Sequence, residues 1–394
     1  MSSPESFGEV RSVVLAVVAT GAGALPAFLI GGLAVQVRGE LGFDEFQLGL
    51  LVSIYFGLSA ALSVLAGRKV DWWGSRRSML VVSAMSAGSL GLLALAGSWL
   101  WMVLGVSLGA VANAVAQPAS NLLLSRRVRL DRQGFAFGLK QAAVPLASMA
   151  GGAAVPAFAL TIGWRWAFAA GSIVSISVVL LAPTIRHTFP SGRRVSSETT
   201  ARLSLPDRRA LGVLAVGAFC GNVASNSLGV FLVEGLVVAG YAPAIAALGL
   251  TLGSALGLAG RVVVGLWADR SSKTTHFGLC SGMLGVGALG YLLFLPYDSV
   301  LNWVAIVLTF AGGWGWNGLF SYSVVASDRN KAALAIGASQ TGLFAGATIG
   351  PSLFGYVVSV SGFPIAWRMA SVSIFVGGLL VLYGGKLLRL ASSP

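Results

Sequence analysis

Two cations occupy stretches of this chain where a membrane would ordinarily forbid them. Lys140 and Arg261 each lie inside an apolar run long enough to cross a bilayer. A charge at that depth costs at least about 2.5–3.5 kcal/mol on insertion scales, so it needs a partner, water or a task. The surrounding runs hold amides. Asn113, Gln117 and Asn121 recur every four residues and share one helix face. Gln141 follows Lys140, Asn222 and Asn226 lie one turn apart, and Gln340 is placed late in the chain. Of the 13 Asp and Glu none falls in the middle of a run; Glu234 comes nearest, closing a helix at its outer edge. Cations and amides without carboxylates suit a small anion, which arginine can grip through two parallel N–H bonds.

Each of these groups has a plainer reading beside the functional one. Lys140 and Arg261 are about one turn from the expected helix ends, so their long chains either line a cavity or snorkel to the interface. The amides either line that cavity or bond helix to helix. In the run Gly312-Gly313-Trp314-Gly315-Trp316-Asn317-Gly318, Trp314 or Trp316 either stacks on a substrate and gates it, or packs in the interior.

The elements that must position these residues are membrane helices. The chain is 56% hydrophobic and 10% charged, against about 25% charged residues in a soluble domain. Charge-poor runs near 20 residues recur throughout, each able to span about 30 Å of hydrocarbon. Twelve spans with both termini cytoplasmic place 21 of the 26 Lys and Arg inside and only Arg38, Arg165 and Arg368 outside, as the positive-inside rule requires. The formal charge of +13 therefore sets orientation and does not point to nucleic acid.

The spans expected from composition include 12–36, 46–66, 100–124, 209–233, 242–264 and 364–386, with the fifth starting near Phe135. Residues 1–184 form an N-terminal six-helix bundle, 185–208 a polar, Pro-containing, basic cytoplasmic linker, and 209–394 a C-terminal six-helix bundle. No cleavable signal peptide is evident, since Glu5 and Glu9 precede a run that is itself long enough to span. Cys220 and Cys280 fall in separate apolar runs and His187 and His276 are unpaired, so neither a disulfide nor a metal site is expected. No nucleophile–base pair, cofactor motif or phosphate loop points to an enzyme or an ATP-driven pump.

A charged island interrupts this pattern: Gly67-Arg68-Lys69-Val70-Asp71-Trp72-Trp73-Gly74-Ser75-Arg76-Arg77. It returns 198 positions later as Gly265-Leu266-Trp267-Ala268-Asp269-Arg270. Gly138-Leu139-Lys140-Gln141 likewise returns at an offset of 199 as Gly337-Ala338-Ser339-Gln340, with Lys140 facing Ser339 across the repeat. Trp164-Arg165 and Trp367-Arg368 close the two copies. The halves match helix for helix, as parallel repeats do. Gly67 is expected to turn the chain out of the second helix, and Asp71 to meet a helix N-terminus and neighbouring guanidinium groups.

The spacing Gly-x-x-x-Asp-x-x-Gly-x-Arg-Arg resembles the loop between helices 2 and 3 of major facilitator superfamily transporters, and its second copy lies where that family repeats it. The resemblance covers essentially the whole chain. It implies an all-α membrane protein of twelve transmembrane helices in two pseudo-symmetric six-helix bundles, working by alternating access. It implies a conformational latch at Gly67, Asp71, Gly74, Arg76, Arg77, Gly265, Asp269 and Arg270. Trp72 stands where the family usually has a basic residue, and Ser271-Ser272-Lys273 replaces the Gly and Arg pair of the second copy. The Gly-x-Lys-Gln run resembles the cyanate-porter-like branch. Arg261 resembles in position the anion-binding arginine of monocarboxylate and oxalate carriers, four residues before the loop glycine. No arginine occurs within the fourth span, where many proton-coupled drug exporters of the superfamily have one.

The expectation is a multi-pass protein of the cytoplasmic (inner) membrane, monomeric in the bilayer. It would carry a monocarboxylate or similar small anion, with protons as coupling ion and uptake as direction. Arg261, Lys140, Gln141, Asn113, Asn222, Asn226, Gln340 and Trp316 are its candidate substrate contacts. The alternative is proton-coupled efflux of hydrophobic drugs or sugars.

Overall fold

Hydrocarbon offers no partner to a backbone N–H or C=O, so apolar runs of this length must satisfy those groups within helices. The computed structural model describes residues 4–181, 205–270, 276–297, 299–327 and 332–391. Among these, short turns connect helices and no strand occurs. Most of the linker expected at 185–208 lies outside the described residues, as do the side chains of Asp269 and Arg270.

The first six passes are α1 (Pro4–Gly32) continued by α2 (Ala34–Leu41), α3 (Glu45–Ala94), α4 (Trp99–Arg127), α5 (Leu130–Gln141) with α6 (Ala143–Ala154), and α7 (Trp164–Leu181). The second six are α8 (Leu205–Val238), α9 (Pro243–Arg270), α10 (Phe277–Leu292), α11 (Val300–Leu308) with α12 (Trp316–Ser327), α13 (Ala332–Ser361) and α14 (Phe363–Ala391). Among the described residues eight helical stretches, α5 with α6 counted as one, are long and apolar enough to cross a membrane. One of these, α3, holds two passes. The remaining passes are short or interrupted: α7, the 16-residue α10, and α11–α12, which a π-helical segment Thr309–Trp314 divides.

The break inside α3 corrects the expectation for the charged loop. Helix continues through Gly67 to Trp73, and the chain turns at Gly74, with φ 75° and ψ 169°. That region is essentially open to glycine alone. Apolar composition ends before the helix does, because arginine and lysine are good helix formers. Replacing Gly74 by alanine is expected to destabilise the protein by about 1–3 kcal/mol, read as a lower apparent melting temperature in detergent.

Two compact units result: Met1–Phe43 with Ile54–Gly192, and Asp44–Ser53 with Arg193–Pro394. In the first, α1 lies against α4 and α6, around a core that includes Leu15, Ala19, Val82, Ala116 and Leu123. Small residues let these helices touch: a Cβ on Gly32 would collide with the carbonyl of Gly151, and one on Gly151 with the carbonyl of Phe28. Serines fasten other pairs, Ser83 donating to Ser175 O (2.6 Å), Ser89 to Gly105 O (2.7 Å) and Ser172 to Ala87 O (2.9 Å). In the second unit α8 lies against α13 and α14. Tyr291 donates to Ala224 O (2.8 Å), and Trp367 packs its ring 4.7 Å from both Phe294 and Phe354.

A clamp closes the end of the first unit at which α2 stops. Glu40 of α2 accepts from Arg165 and from Trp164 Nε1 (2.6 Å), while Arg165 also donates to Ala96 O (2.9 Å) and lies 4.3 Å over the Trp164 ring. The Arg165 guanidinium, and then the Trp164 indole, hold the Glu40 carboxyl below its ordinary pKa. A depressed carboxylate stabilises the fold above its unfolded pKa, and that stabilisation is lost as pH falls through the native value. Glu40→Gln is expected to cost less than about 1 kcal/mol at neutral pH, since the pair is half exposed. In pH-dependent melting the gap from wild type should close below the ordinary value of 4.5. An equal gap at low pH would show that charge has no part in the clamp.

Candidate functional site

Proline places the first element of the site. Pro145 has no N–H to offer the carbonyl of Gln141, and its ring crowds that carbonyl. The fifth pass accordingly breaks at Ala142, between α5 and α6. Lys140 and Gln141 are thus the last two residues of α5.

Lys140 is 3% exposed, so it does not snorkel. Its Nζ donates to Gln117 Oε1 (2.6 Å) and to Asn121 Oδ1 (2.9 Å), both on α4. No carboxylate among the described residues pairs with it. An ammonium has three N–H donors, and two neutral oxygens take two of them. The third has no acceptor among the described residues. Asn113, one turn earlier on the same face of α4, is buried and donates to Ser59 Oγ (2.7 Å). Gln141 is exposed.

The second unit builds its own cationic locus on a different device. The π-helical segment Thr309–Trp314 precedes α12, and such segments are frequent at functional sites. Arg261 of α9 donates through Nε to Trp314 O (3.1 Å), with its guanidinium carbon 5.9 Å from the centre of the Trp314 ring. Its two terminal nitrogens have no partner among the described residues. Trp314 is itself fixed, its Nε1 donating to Ser225 O (2.6 Å), while Ser225 Oγ donates to Gly313 O (2.6 Å). Asn222 is buried and donates to Leu343 O (2.5 Å), and Asn226 donates to Asn222 O (3.1 Å). Gln340 is partly buried on α13.

Two expectations change. Trp316 is 0% exposed and packs against Gly221 and Phe320, so its ring is interior and does not offer a substrate surface. Glu234 does not close its helix: α8 runs on to Val238, and Glu234 is 5% exposed. Gln117 and Asn121, which hold Lys140, were visible in the sequence only as a shared face. At the repeat offset of 199 they correspond to Trp316 and Phe320, and Lys140 to Ser339. One half fills this position with an ammonium and two amides, the other with an aromatic pair 5.3 Å apart.

The residues expected as a latch are only partly placed. Asp71 is exposed and has no ion pair or hydrogen bond among the described residues. Gly67 and Gly265 lie within helices, Arg76 is partly buried and Arg77 is exposed. Asp269 and Arg270 have no described side chains.

The family model described as Major Facilitator Superfamily matches residues 13–341. A probable sulfoacetate transporter of Cupriavidus necator is 25% identical over 389 residues, covering 91% of this chain and 90% of that protein. An MFS-type transporter of Mycobacterium tuberculosis, described as uncharacterized, is 25% identical over 372 residues, covering 90% of this chain and 81% of its own. Among solved structures, a bacterial homolog of the human lysosomal transporter Spinster, inward-facing and occupied, aligns with a TM-score of 0.74 at 16% identity, covering 100% of this chain and 98% of that one. A D-xylose–proton symporter aligns with a TM-score of 0.74 at 15% identity over 94% and 97% of the two chains. At those identities the likeness to the solved structures is one of fold.

Proposed function

The chain belongs to the major facilitator superfamily, and we propose that it is a secondary transporter that takes up a small organic anion with protons across the cytoplasmic membrane. A small-molecule substrate and a multi-pass place in the bilayer follow from the family; the anion, the proton and the direction are the proposal. One observation supports it above the others. Lys140 is a buried cation whose recorded partners are neutral amides. A basic side chain retained at that depth without a counter-ion has a use for one when it is charged. Arg261 supports the same reading in the second unit, since its two terminal nitrogens could donate to a carboxylate or sulfonate. A relative named for sulfoacetate, an organic dianion, agrees with this chemistry.

In this reading Lys140 and Arg261 contact the anion, and Asn113, Gln141, Asn222, Asn226 and Gln340 complete its surroundings. Residues 185–208 join the two bundles on the cytoplasmic side. Asp71 with Gly67, Gly74, Arg76 and Arg77, and Asp269 with Gly265 and Arg270, serve the conformational cycle. The rival reading, efflux of hydrophobic drugs or sugars through an aromatic surface, loses support with Trp314 and Trp316 at 4% and 0% exposure.

Ligand-dependent melting of the purified protein tests the proposal, because a ligand preferring the native state raises its apparent stability. Sulfoacetate, small monocarboxylates and sulfate are compared with hydrophobic cations and sugars. The anions are expected to stabilise the wild type, and Arg261→Gln to weaken their binding by about 1.5–3 kcal/mol, or roughly 10- to 150-fold. Stabilisation by drugs or sugars alone, unchanged in Arg261→Gln, would sink the anion reading.

A further inference from the structure

We infer that Lys140 carries the coupling proton, binding it together with the anion and giving both up together; this rests on the anion-carrier reading above. The argument is a count of hydrogens. A neutral amine has two N–H bonds, and Gln117 Oε1 and Asn121 Oδ1 accept two, at 2.6 and 2.9 Å. The side chain therefore keeps both partners in either protonation state, with the stronger bonds coming from the ammonium. The ammonium differs by one further N–H, which has no acceptor among the described residues. A carboxylate or sulfonate oxygen supplies that acceptor.

Proton and anion thus complete one another at a single atom. On loading, the Nζ lone pair takes a proton from water and the new N–H donates to the anion. On release the anion leaves, the third N–H is again without an acceptor, and the proton returns to water. The ammonium offsets one charge of the anion, so with a monocarboxylate the loaded pair carries no net charge into a region where a single charge is costly.

Among the described residues no acid near this corner pairs with Lys140. On α4, facing Lys140, the groups are the two amides. From α1, which also packs on α5, Glu9 is taken by the backbone N–H of Arg129 (3.2 Å) and by Arg132 (3.5 Å), at the opposite end of α5. From α6 and from the rest of α5 no described acid faces it. The pseudo-equivalent residue of the second half, Ser339, cannot exchange a proton in this way. Among the described residues the remaining buried acid is Glu234, in the other unit.

Calorimetric titration of the full-length protein with sulfoacetate, and with sulfate as second probe, tests this in two buffers of different ionisation enthalpy. Both probes stay fully ionised over about pH 6–9, so any proton taken up belongs to the protein. The wild type is expected to take up a proton with the anion, its affinity falling about tenfold per pH unit at the alkaline end. Lys140→Arg, which remains charged, should bind the anion with no proton uptake and a flat pH profile. Glu234→Gln should behave as wild type. Proton uptake retained in Lys140→Arg, or lost in Glu234→Gln, overturns the assignment. Wild-type binding without proton uptake at any pH overturns it too, whether or not either variant folds, and leaves the anion reading standing. Failure of both probes to bind ends that reading and the inference with it.

Discussion

Lys140→Ala is expected to abolish anion-dependent stabilisation and anion uptake while leaving a folded protein. Removing one partner of a buried, hydrogen-bonded charge pair costs about 2–5 kcal/mol of binding, a loss of about 30-fold to several thousandfold. The unliganded protein should suffer far less. Two amide oxygens lose their donor, at about 1–3 kcal/mol for each that stays buried, but Asn121 is exposed and can turn to water. Where the unliganded amine is protonated, its removal also relieves a charge that costs about 2.5–3.5 kcal/mol at membrane depth. Uptake into proteoliposomes and melting without ligand separate the two effects. Uptake unchanged in Lys140→Ala would leave the ammonium a structural filler between α4 and α5. A collapse of the unliganded melting temperature would make it a structural pin.

The sequence displays the number of passes openly, because each must be apolar for about 20 residues and the basic residues must gather on one side. Helix ends are less legible. Hydropathy stops at Ala66, but the second pass continues to the turn at Gly74, since a helix leaving the bilayer keeps its backbone bonds whether its side chains are apolar or basic. The break after Gln141 was readable in principle from Pro145, whose missing N–H must tell four residues earlier. The partner of Lys140 was not. Spacing put Gln117 and Asn121 on one face of α4, but which face meets α5 depends on how the helices pack. Trp316 shows the same limit from the other side. Its run of glycines fits a cleft or an interior equally well, and only Gly221 on a facing helix decides for the interior.

The offset of 199 carries this further. Duplicated halves must share their packing residues, since the same backbone is built twice, but they need not share the residues that meet a substrate. Position 143, 147 and 151 of the first half correspond to Gly342, Gly346 and Gly350 of the second, all small in both copies: Ala143, Ala147 and Gly151. Positions 117, 121 and 140 do not agree with 316, 320 and 339. On the proposed reading the repeat separates scaffold from site, with Lys140 and its two amides on the side of the site.

The scaffold half of that argument has its own test in α13. Gly342, Gly346 and Gly350 follow one another at four-residue intervals and meet the carbonyls of Ala215, Phe219 and Val223, likewise four apart on α8. A Cβ on Gly346 would stand 2.5 Å from Phe219 O and 3.0 Å from Asn222 Cβ, closer than real side chains come. Phe219 O is backbone and Asn222 Cβ is bonded directly to the backbone, so neither can turn aside. Gly346→Ala is therefore expected to cost about 1–3 kcal/mol by forcing the helices apart. Gly346→Leu, with three further carbons in the same space, should yield no monodisperse protein on size exclusion. Gly337 is the control on the same helix, with nothing within 4 Å of its added Cβ. Gly337→Ala should be neutral or stabilise by up to about 1 kcal/mol, since glycine within a helix is unfavourable relative to alanine. If the two alanine variants melted alike, contact between α13 and α8 would not be what these glycines serve. If they diverge as expected, small residues at four-residue spacing set the closeness of the two helices, and Asn222, wedged beside Gly346 with its amide on Leu343 O, is held in place by that closeness.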